Sequence, residues 1–334
     1  MPEGFGLWLV VVLVLAVGFD YINGFHDTAN AIATSVSTRA LRPSHAILMS
    51  ATANFIGALT GTAVAKTIAS GIATTPAGDD GQVVVAAALV GAIAWNLITW
   101  RLGIPSSSSH ALIGGLIGAA IASSGPQSLN GPGIIEKVLI PLVASPILGV
   151  AIGFALMVVL LNLFKRAHPK RINDRFRRLQ LISAAYMAFS HGSNDAQKTM
   201  GIITLALVAG GVLAEPTVPL WVILTAATAI SLGTAAGGWR IIKTMGQRVV
   251  KLDPVHGFAA ETTAATIIIG ASAFGMPVST THVISSAIIG VGSSDRFSAV
   301  RWGVAGSILI AWVLTIPASA AVAWLAWEVL SRVL

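Results

Sequence analysis

Apolar stretches separated by short polar ones occupy almost the whole chain. They fall at 5–22, 44–66, 83–104, 106–124, 134–164, 179–213, 217–240, 257–276, 278–292 and 302–330. A helix needs about 20 apolar residues, each rising about 1.5 Å, to cross the hydrocarbon core of a membrane. Most of the stretches are about that long or longer, so the pattern predicts an all-α polytopic membrane protein.

Two stretches have lengths that do not suit a simple crossing. The 15 residues of 278–292 reach only about 22 Å as a helix, so we expect 257–292 to form a re-entrant hairpin turning at Gly275-Met276-Pro277. By analogy, 83–124 is expected to form another hairpin, turning at Gly103-Ile104-Pro105. The 35 residues of 179–213 would extend about 52 Å, well over a core of about 30 Å, which predicts a broken or strongly tilted helix.

Three motifs occur twice, in the same order. Residues 24–30 match 192–198, the segment from Leu48 matches that from Leu224, and 103–110 match 275–282, at offsets of 168, 176 and 172. With the charge distribution described below, this repetition predicts an inverted-topology repeat, which is typical of secondary transporters. We expect the repeats to cover 5–164 and 179–332, joined by a linker at 165–178.

The composition also indicates a membrane protein. Of 334 residues, 55% are hydrophobic and 10% are charged, whereas soluble proteins carry about 25% charged residues. Most soluble enzymes, nucleic-acid binders and disordered scaffolds are therefore excluded. The chain has no cysteine, which excludes disulfides, thiolate metal sites and cysteine nucleophiles.

The net charge of +7 is concentrated in the linker, which holds seven Lys/Arg and one Asp. We interpret residues 165–178 as a cytoplasmic loop that contacts anionic lipid, with a regulatory docking site as the alternative. With the linker inside, 15 Lys and Arg lie in the cytoplasm and three outside, so both termini are expected outside. The first apolar stretch lacks a basic n-region and a cleavage site, and is expected to stay as a helix.

The first set of candidate residues lies at 23–30 and 191–198, which we call the signature motifs. Each interrupts a long apolar run and is expected to break its helix, freeing backbone carbonyls at mid-depth. A carboxylate there needs a partner or a cation. Asp27 and Asp195, with amide and carbonyl oxygens, form a hard ligand set suited to Na⁺ or a proton. An Asp that only caps a half-helix is the alternative.

Single polar residues extend this set. His26 stands where the second repeat has Asn194, and this asymmetry is a candidate mark of proton coupling. Lys198 matches Asn30 and places a fixed cation where it could pair with an aspartate or attract an anion. Glu261 opens the second hairpin and is a candidate to complete the cation site.

Hydroxyl-rich segments follow both predicted hairpin turns, at 106–110 (Ser-Ser-Ser-Ser-His) and 279–282 (Ser-Thr-Thr-His). A helix N-terminus there offers free N–H groups and a positive dipole end, which bind anions. Two such tips meeting across a pseudo-twofold axis would enclose a small oxyanion, whereas simple capping is the alternative. His110 and His282 are candidate proton carriers or anion neighbours, or else packing residues.

Five motifs together resemble the PiT family of inorganic phosphate transporters, in particular its bacterial low-affinity permeases. They are Asn-Gly-Phe-His-Asp-Thr-Ala-Asn-Ala-Ile-Ala-Thr (23–34), Trp-Asn-Leu-Ile-Thr-Trp (95–100), Pro-Ser-Ser-Ser-Ser-His (105–110), Ser-His-Gly-Ser-Asn-Asp-Ala-Gln-Lys (190–198) and Val-Ser-Thr-Thr-His (278–282). The resemblance implies an inverted-repeat symporter of the inner membrane, often a homodimer, that carries phosphate with Na⁺ or H⁺.

The resemblance also implies roles for individual residues. Asp27 and Asp195 would be the core acids, and would bind the metal ion if the coupling ion is Na⁺. The expected phosphate-binding set is Ser107, Ser108, Ser109, Ser279, Thr280, Thr281, Asn194 and Lys198. The expected cation-coupling set is Asp27, Asn30, Asp195, Asn23, Glu261 and His26. Many Na⁺-coupled members read Gly-Ala-Asn-Asp where this chain has Gly-Phe-His-Asp, which favours proton coupling.

We therefore expect a symporter that works by alternating access, with phosphate and membrane lipid as partners, no nucleic-acid partner and no cofactor beyond the coupling ion. A neutral metal–phosphate complex is an alternative cargo. A sulfate or other oxyanion symporter and a passive anion channel are alternative functions. An intramembrane hydrolase using a serine of 106–109 with His110 or His282 is a further alternative, but Ser and His side by side at one helix start do not easily form a triad.

Overall fold

The computed structural model describes residues 6–333, so the first residue of the predicted first repeat, at position 5, lies outside the described part. Within it the regular secondary structure is helical, apart from an isolated bridge between Ala73 and Leu129. The α-helices are α1 Leu7–Ser37, α2 Pro43–Ala58, α3 Ala63–Ser70, α4 Asp79–Leu102, α5 Ser108–Ser124, α6 Gly131–Ile134, α7 Ile140–Phe164, α8 Pro169–Ala209, α9 Leu220–Ala236, α10 Trp239–Lys243, α11 Pro254–Ala273, α12 Thr280–Asp295 and α13 Trp302–Leu330.

Several of these helices are long and apolar enough to cross a membrane. A π-helical turn joins α6 to α7, giving one apolar rod over Gly131–Phe164. This rod, α1, α4 and α13 meet the length and hydropathy expected of a span, and the bent pairs α2–α3 and α9–α10 raise the number to six if each pair crosses once. The prediction of an all-α, multi-pass membrane protein is confirmed.

The expected helix breaks at the signature motifs are not present. α1 runs unbroken through 23–30 and α8 through 191–198. The motif glycines serve close helix packing instead: a Cβ on Gly24 would collide with the Ile230 carbonyl, and one on Gly192 with that of Asn54. The breaks fall elsewhere, between α2 and α3, bent by 70°, and between α9 and α10, bent by 61°.

The two predicted helical hairpins are present, as α4–α5 and α11–α12. Both turn at a glycine with a left-handed backbone, Gly103 at φ 68° and Gly275 at φ 65°, a conformation that costs glycine little. Each turn continues through a proline in the second following position, which cannot extend the helix. We call residues 103–110 tip 1 and residues 275–282 tip 2.

The same order of elements occurs twice along the chain. A long helix, a bent pair, a hairpin and a long apolar helix come first as α1 to α7 and again as α8 to α13. The long helix of each half packs against the bent pair of the other half, since Gly24 of α1 contacts α9 and Gly192 of α8 contacts α2. The basic linker is not an irregular loop throughout, because Pro169–Arg178 forms the first turns of α8.

The signature motifs lie between two apolar cores. One core contains the buried apolar residues of α1 between Leu9 and Phe19 and those of α8 between Ala196 and Leu207. The other core contains those of α1 between Ala29 and Ala33, with Met187 and Ala188 of α8. Apart from Tyr21, the polar residues between these sections are buried in the protein rather than facing lipid. The fold therefore holds a polar layer inside the helix bundle.

Candidate functional site

The two signature motifs meet at this layer. Asp27 of α1 and His191 and Asp195 of α8 each offer one ligand atom, and these three atoms lie within 4.8 Å of one another. All three residues are buried. The fold thus brings together two carboxylates that the sequence predicted to act together from separate repeats.

The first aspartate is held by a histidine. His26 Nδ1 lies 2.6 Å from Asp27 Oδ1, and its Nε2 lies 3.1 Å from the hydroxyl of Thr99 on α4. His26 is 1% exposed, so any proton on its ring sits in the bundle rather than in bulk water. This arrangement places a buried imidazole ring between a signature carboxylate and α4.

The second aspartate is held by a lysine. Lys198 Nζ donates to Asp195 Oδ1 at 2.8 Å and to the Val278 carbonyl at 3.0 Å, and it also donates to the Ser109 hydroxyl. An ammonium group has three hydrogens to donate, so all of them are used. Lys198 therefore ties a signature carboxylate to tip 1 and to tip 2 at once.

The tips are helix N-termini, as their sequences predicted. Ser107 caps α5 by accepting the His110 N–H at 3.1 Å, and Ser279 caps α12 by accepting the His282 N–H at 3.2 Å. Three other tip hydroxyls, those of Ser109, Thr280 and Thr281, accept hydrogen bonds from signature-motif residues. Asn30 donates to Thr281 at 2.9 Å and to Thr280 at 3.3 Å. Ser108 Oγ is buried without a hydrogen-bond partner within residues 6–333.

The tips also meet each other directly. Ser109 donates to the Val278 carbonyl at 3.4 Å, and the rings of His110 and His282 lie edge to face with centroids 4.6 Å apart. His282 in turn stacks on Trp312 at 3.9 Å. Across residues 6–333 neither ring hydrogen-bonds a serine hydroxyl, which is the contact that a Ser–His nucleophile needs.

Several buried oxygens around the aspartates have no hydrogen-bond partner within the described chain. They include Asp195 Oδ2, Asn30 Oδ1 and the amide of Asn23, together with His191 Nε2. Buried polar groups are normally paired, so a cluster of unpaired ones indicates a ligand. Carboxylate and amide oxygens suit a hard monovalent cation, and the continuity of α1 and α8 means that side chains must supply most of them.

Two residues that the sequence assigned to the site make contacts elsewhere. Glu261 accepts hydrogen bonds from Thr34, Gln180 and Ser183, so its carboxylate is fully satisfied away from the aspartate pair. Asn194 donates to Ser272 of α11 at 2.7 Å rather than to a tip hydroxyl. The two repeats therefore do not contribute equivalent residues to the site at every position.

Two further buried residues near the site lie outside the predicted sets. His191 was not assigned a role, although its Nε2 lies 3.7 Å from Asp195 Oδ2 and its Nδ1 lies 3.2 Å from Asn54. Asp20 was not considered as a site residue, yet it is fully buried one turn before Asn23. A charged residue inside an apolar stretch is itself a signal of function, and it was available for Asp20.

Comparisons with known proteins show which sequences and which fold this chain is similar to. The model of the phosphate transporter family matches residues 23–323. The chain is 50% identical to a probable low-affinity inorganic phosphate transporter of Bacillus subtilis (strain 168) over 97% of each chain. It is 49% identical to the protein of the same name from Rhizobium meliloti (strain 1021), over 96% of this chain and 95% of that one.

A solved structure described as the sodium-dependent phosphate transporter has the same fold. It superposes with a TM-score of 0.90 at 26% sequence identity, covering 98% of this chain and 100% of that one. These relatives are transporters and not enzymes, so the hydrolase alternative is set aside. With a family match over most of its length, the chain belongs to the phosphate transporter family.

Proposed function

We propose that this protein imports inorganic phosphate by symport with H⁺ or Na⁺. The observation that carries the proposal is Lys198, which joins Asp195 to the hydroxyl-bearing tips of both hairpins. An ammonium group, two helix N-termini and several hydroxyls within one buried layer are suited to a small oxyanion. Phosphate oxygens would replace some of the tip groups as acceptors of the hydrogen bonds that Lys198 donates.

The charges in the layer account for coupling. Asp27 and Asp195, if ionised, and Lys198 sum to one negative charge before any anion enters. Adding phosphate increases that charge in a buried environment, where uncompensated charge is costly. A cation bound near Asp27, His191 and Asp195 would offset it, so anion and cation would enter together. The Asp27–His26 pair favours a proton, whereas the unpaired oxygens also suit Na⁺.

The wider arrangement fits alternating access. The repeated order of elements supports an inverted-topology repeat, in which one packed group moves against the other about a central site. We further propose an inner-membrane homodimer with both termini outside and the basic start of α8 against anionic lipid of the cytoplasmic leaflet. A neutral metal–phosphate complex remains within the proposal as an alternative cargo.

Radiolabelled phosphate uptake by proteoliposomes tests this function. The purified protein is given a Na⁺ gradient in one set and a proton gradient in another, each with and without excess sulfate. The expected result is uptake driven by one of the gradients and unchanged by sulfate. Lack of uptake under both gradients would contradict symport, and strong inhibition by sulfate would favour transport of another oxyanion.

A further inference from the structure

A cavity of about 300 Å³ lies beside the basic linker, outside the polar layer. Its walls come from the end of α7, the linker with the start of α8, the start of α11 and the end of α12. None of the residues that line it belongs to a signature motif or to a tip. Cavities that hold small ligands have volumes of about 300–1,000 Å³, so this one has room for a small polar group.

One wall of this cavity carries two carboxylates joined by a histidine. His256 Nδ1 lies 2.7 Å from Asp253 Oδ1, and its Nε2 lies 2.9 Å from Asp295 Oδ2. Ionised carboxylates only accept hydrogen bonds, so His256 donates from both ring nitrogens and carries a positive charge. The second oxygens, Asp253 Oδ2 and Asp295 Oδ1, have no partner within residues 6–333, and the two side chains are 45% and 41% exposed. This wall therefore has one net negative charge and two free acceptors.

A lysine supplies the balancing charge at another point of the cavity. Lys165 directly follows the last residue of α7 and is exposed. It lines the same cavity as the two carboxylates, yet it forms no ion pair with them or with any other acid of the described chain. Lys165 and His256 together balance the two carboxylates. The cavity is thus neutral overall, with its free cation and its free anionic oxygens apart from each other.

The apolar wall connects the cavity to the surface that faces lipid. Leu161 of α7 lines the cavity and is itself 42% exposed. The rod over Gly131–Phe164 meets the length and hydropathy of a membrane span, and the apolar run ends at Phe164 next to Lys165. The cavity therefore lies where the hydrocarbon core gives way to the headgroup layer. A molecule with both a charged headgroup and acyl chains can contact all of these walls at once.

We propose that this cavity binds the headgroup of a phospholipid with a primary amine, of the phosphatidylethanolamine type, from the leaflet on the linker side. The ammonium would donate to Asp253 Oδ2 and Asp295 Oδ1, the phosphodiester would pair with Lys165, and the acyl chains would lie along α7 from Leu161. A primary ammonium has three N–H donors for these acceptors, as the lysine side chain does, whereas a trimethylammonium group has none.

This site differs from a general attraction between the basic linker and anionic lipid. An anionic headgroup would place its negative charge in a cavity with an acidic wall, and only Lys165 would favour it there. A zwitterionic headgroup matches both charged points of the cavity. The inference does not depend on the symport proposed above.

Lipid binding to the purified, delipidated protein in detergent tests the proposal. Phosphatidylethanolamine and phosphatidylcholine with the same acyl chains differ only in the methyl groups on nitrogen. We expect native mass spectrometry to show several-fold greater retention of phosphatidylethanolamine, and thermal unfolding to show greater stabilisation by it. Asp295→Asn, which keeps an acceptor for His256, should remove this preference. Lys165→Met should weaken the binding of both lipids several-fold because both contain the phosphodiester.

Two further variants complete the test. Asp174→Asn, an exposed linker carboxylate that does not line the cavity, should leave the preference unchanged. Ala167→Leu adds volume at the cavity wall without changing its charge, and it should reduce phosphatidylethanolamine retention even if Asp295→Asn does not fold. Equal retention of the two lipids by wild type, or wild-type retention of phosphatidylethanolamine by Ala167→Leu, would overturn the proposal. Stronger retention of phosphatidylglycerol than of phosphatidylethanolamine would also overturn it and would assign lipid contact to the basic linker alone.

Discussion

Replacing Lys198 by methionine should damage both the fold and the phosphate site. Methionine keeps the length of the side chain and removes its charge. Asp195 then loses the ammonium 2.8 Å from its Oδ1 and is left buried at 0% exposure, with His191 3.7 Å from its Oδ2 as the remaining neighbour. Removing one partner of a buried ion pair costs about 3–5 kcal/mol, so we expect a fall of that size in the free energy of unfolding.

The phosphate affinity should fall as well. A hydrogen bond from a charged group contributes about 1.5–3 kcal/mol, which corresponds to a loss of about 10- to 150-fold in affinity. Thermal unfolding in detergent and phosphate concentration dependence of uptake measure the two effects, with Lys66→Met, an exposed lysine on α3, as the control. The double variant Asp195→Asn/Lys198→Met should recover most of the stability and none of the affinity. Wild-type stability and affinity in Lys198→Met would refute the reasoning.

Four further variants test other parts of the account. Asp27→Asn and Asp195→Asn should each abolish uptake while leaving the size-exclusion profile unchanged, and wild-type uptake by either folded variant would end the proposal for that site. Gly24→Ala should lower the free energy of unfolding by about 1–3 kcal/mol because its Cβ meets a backbone carbonyl of α9, whereas Gly18→Ala on the same helix has open space and should not. Asp253→Ala removes the N-cap of α11 and should cost about 1 kcal/mol in thermal unfolding with no change in phosphate affinity.

The hairpins and their tips could be predicted because their signals are local. A glycine for the left-handed turn, a proline after it and hydroxyl residues at the helix start are read directly from 103–110 and 275–282. The pairing of the two tips also followed, since the motif is repeated. Such features depend on backbone preferences that neighbouring residues determine.

The predicted helix breaks were wrong because a polar motif inside a long apolar run can also be buried along an unbroken helix. Gly24 and Gly192 permit two helices to approach closely, and nothing in the local sequence separates that use from a break. The role of Glu261 was also beyond the sequence, since its three donors come from α1 and α8. Asp20 was missed because comparison of the repeats places Ala188 at its equivalent position, so repetition gave no signal.

A structure determined with phosphate bound tests the central claim most directly. The account predicts density for the anion between tip 1 and tip 2, with a phosphate oxygen within hydrogen-bond distance of Lys198 Nζ and others near the hydroxyls of Ser108 and Thr281. Phosphate bound outside the two tips, with the Lys198 contacts to Asp195 and Ser109 unchanged, would contradict it.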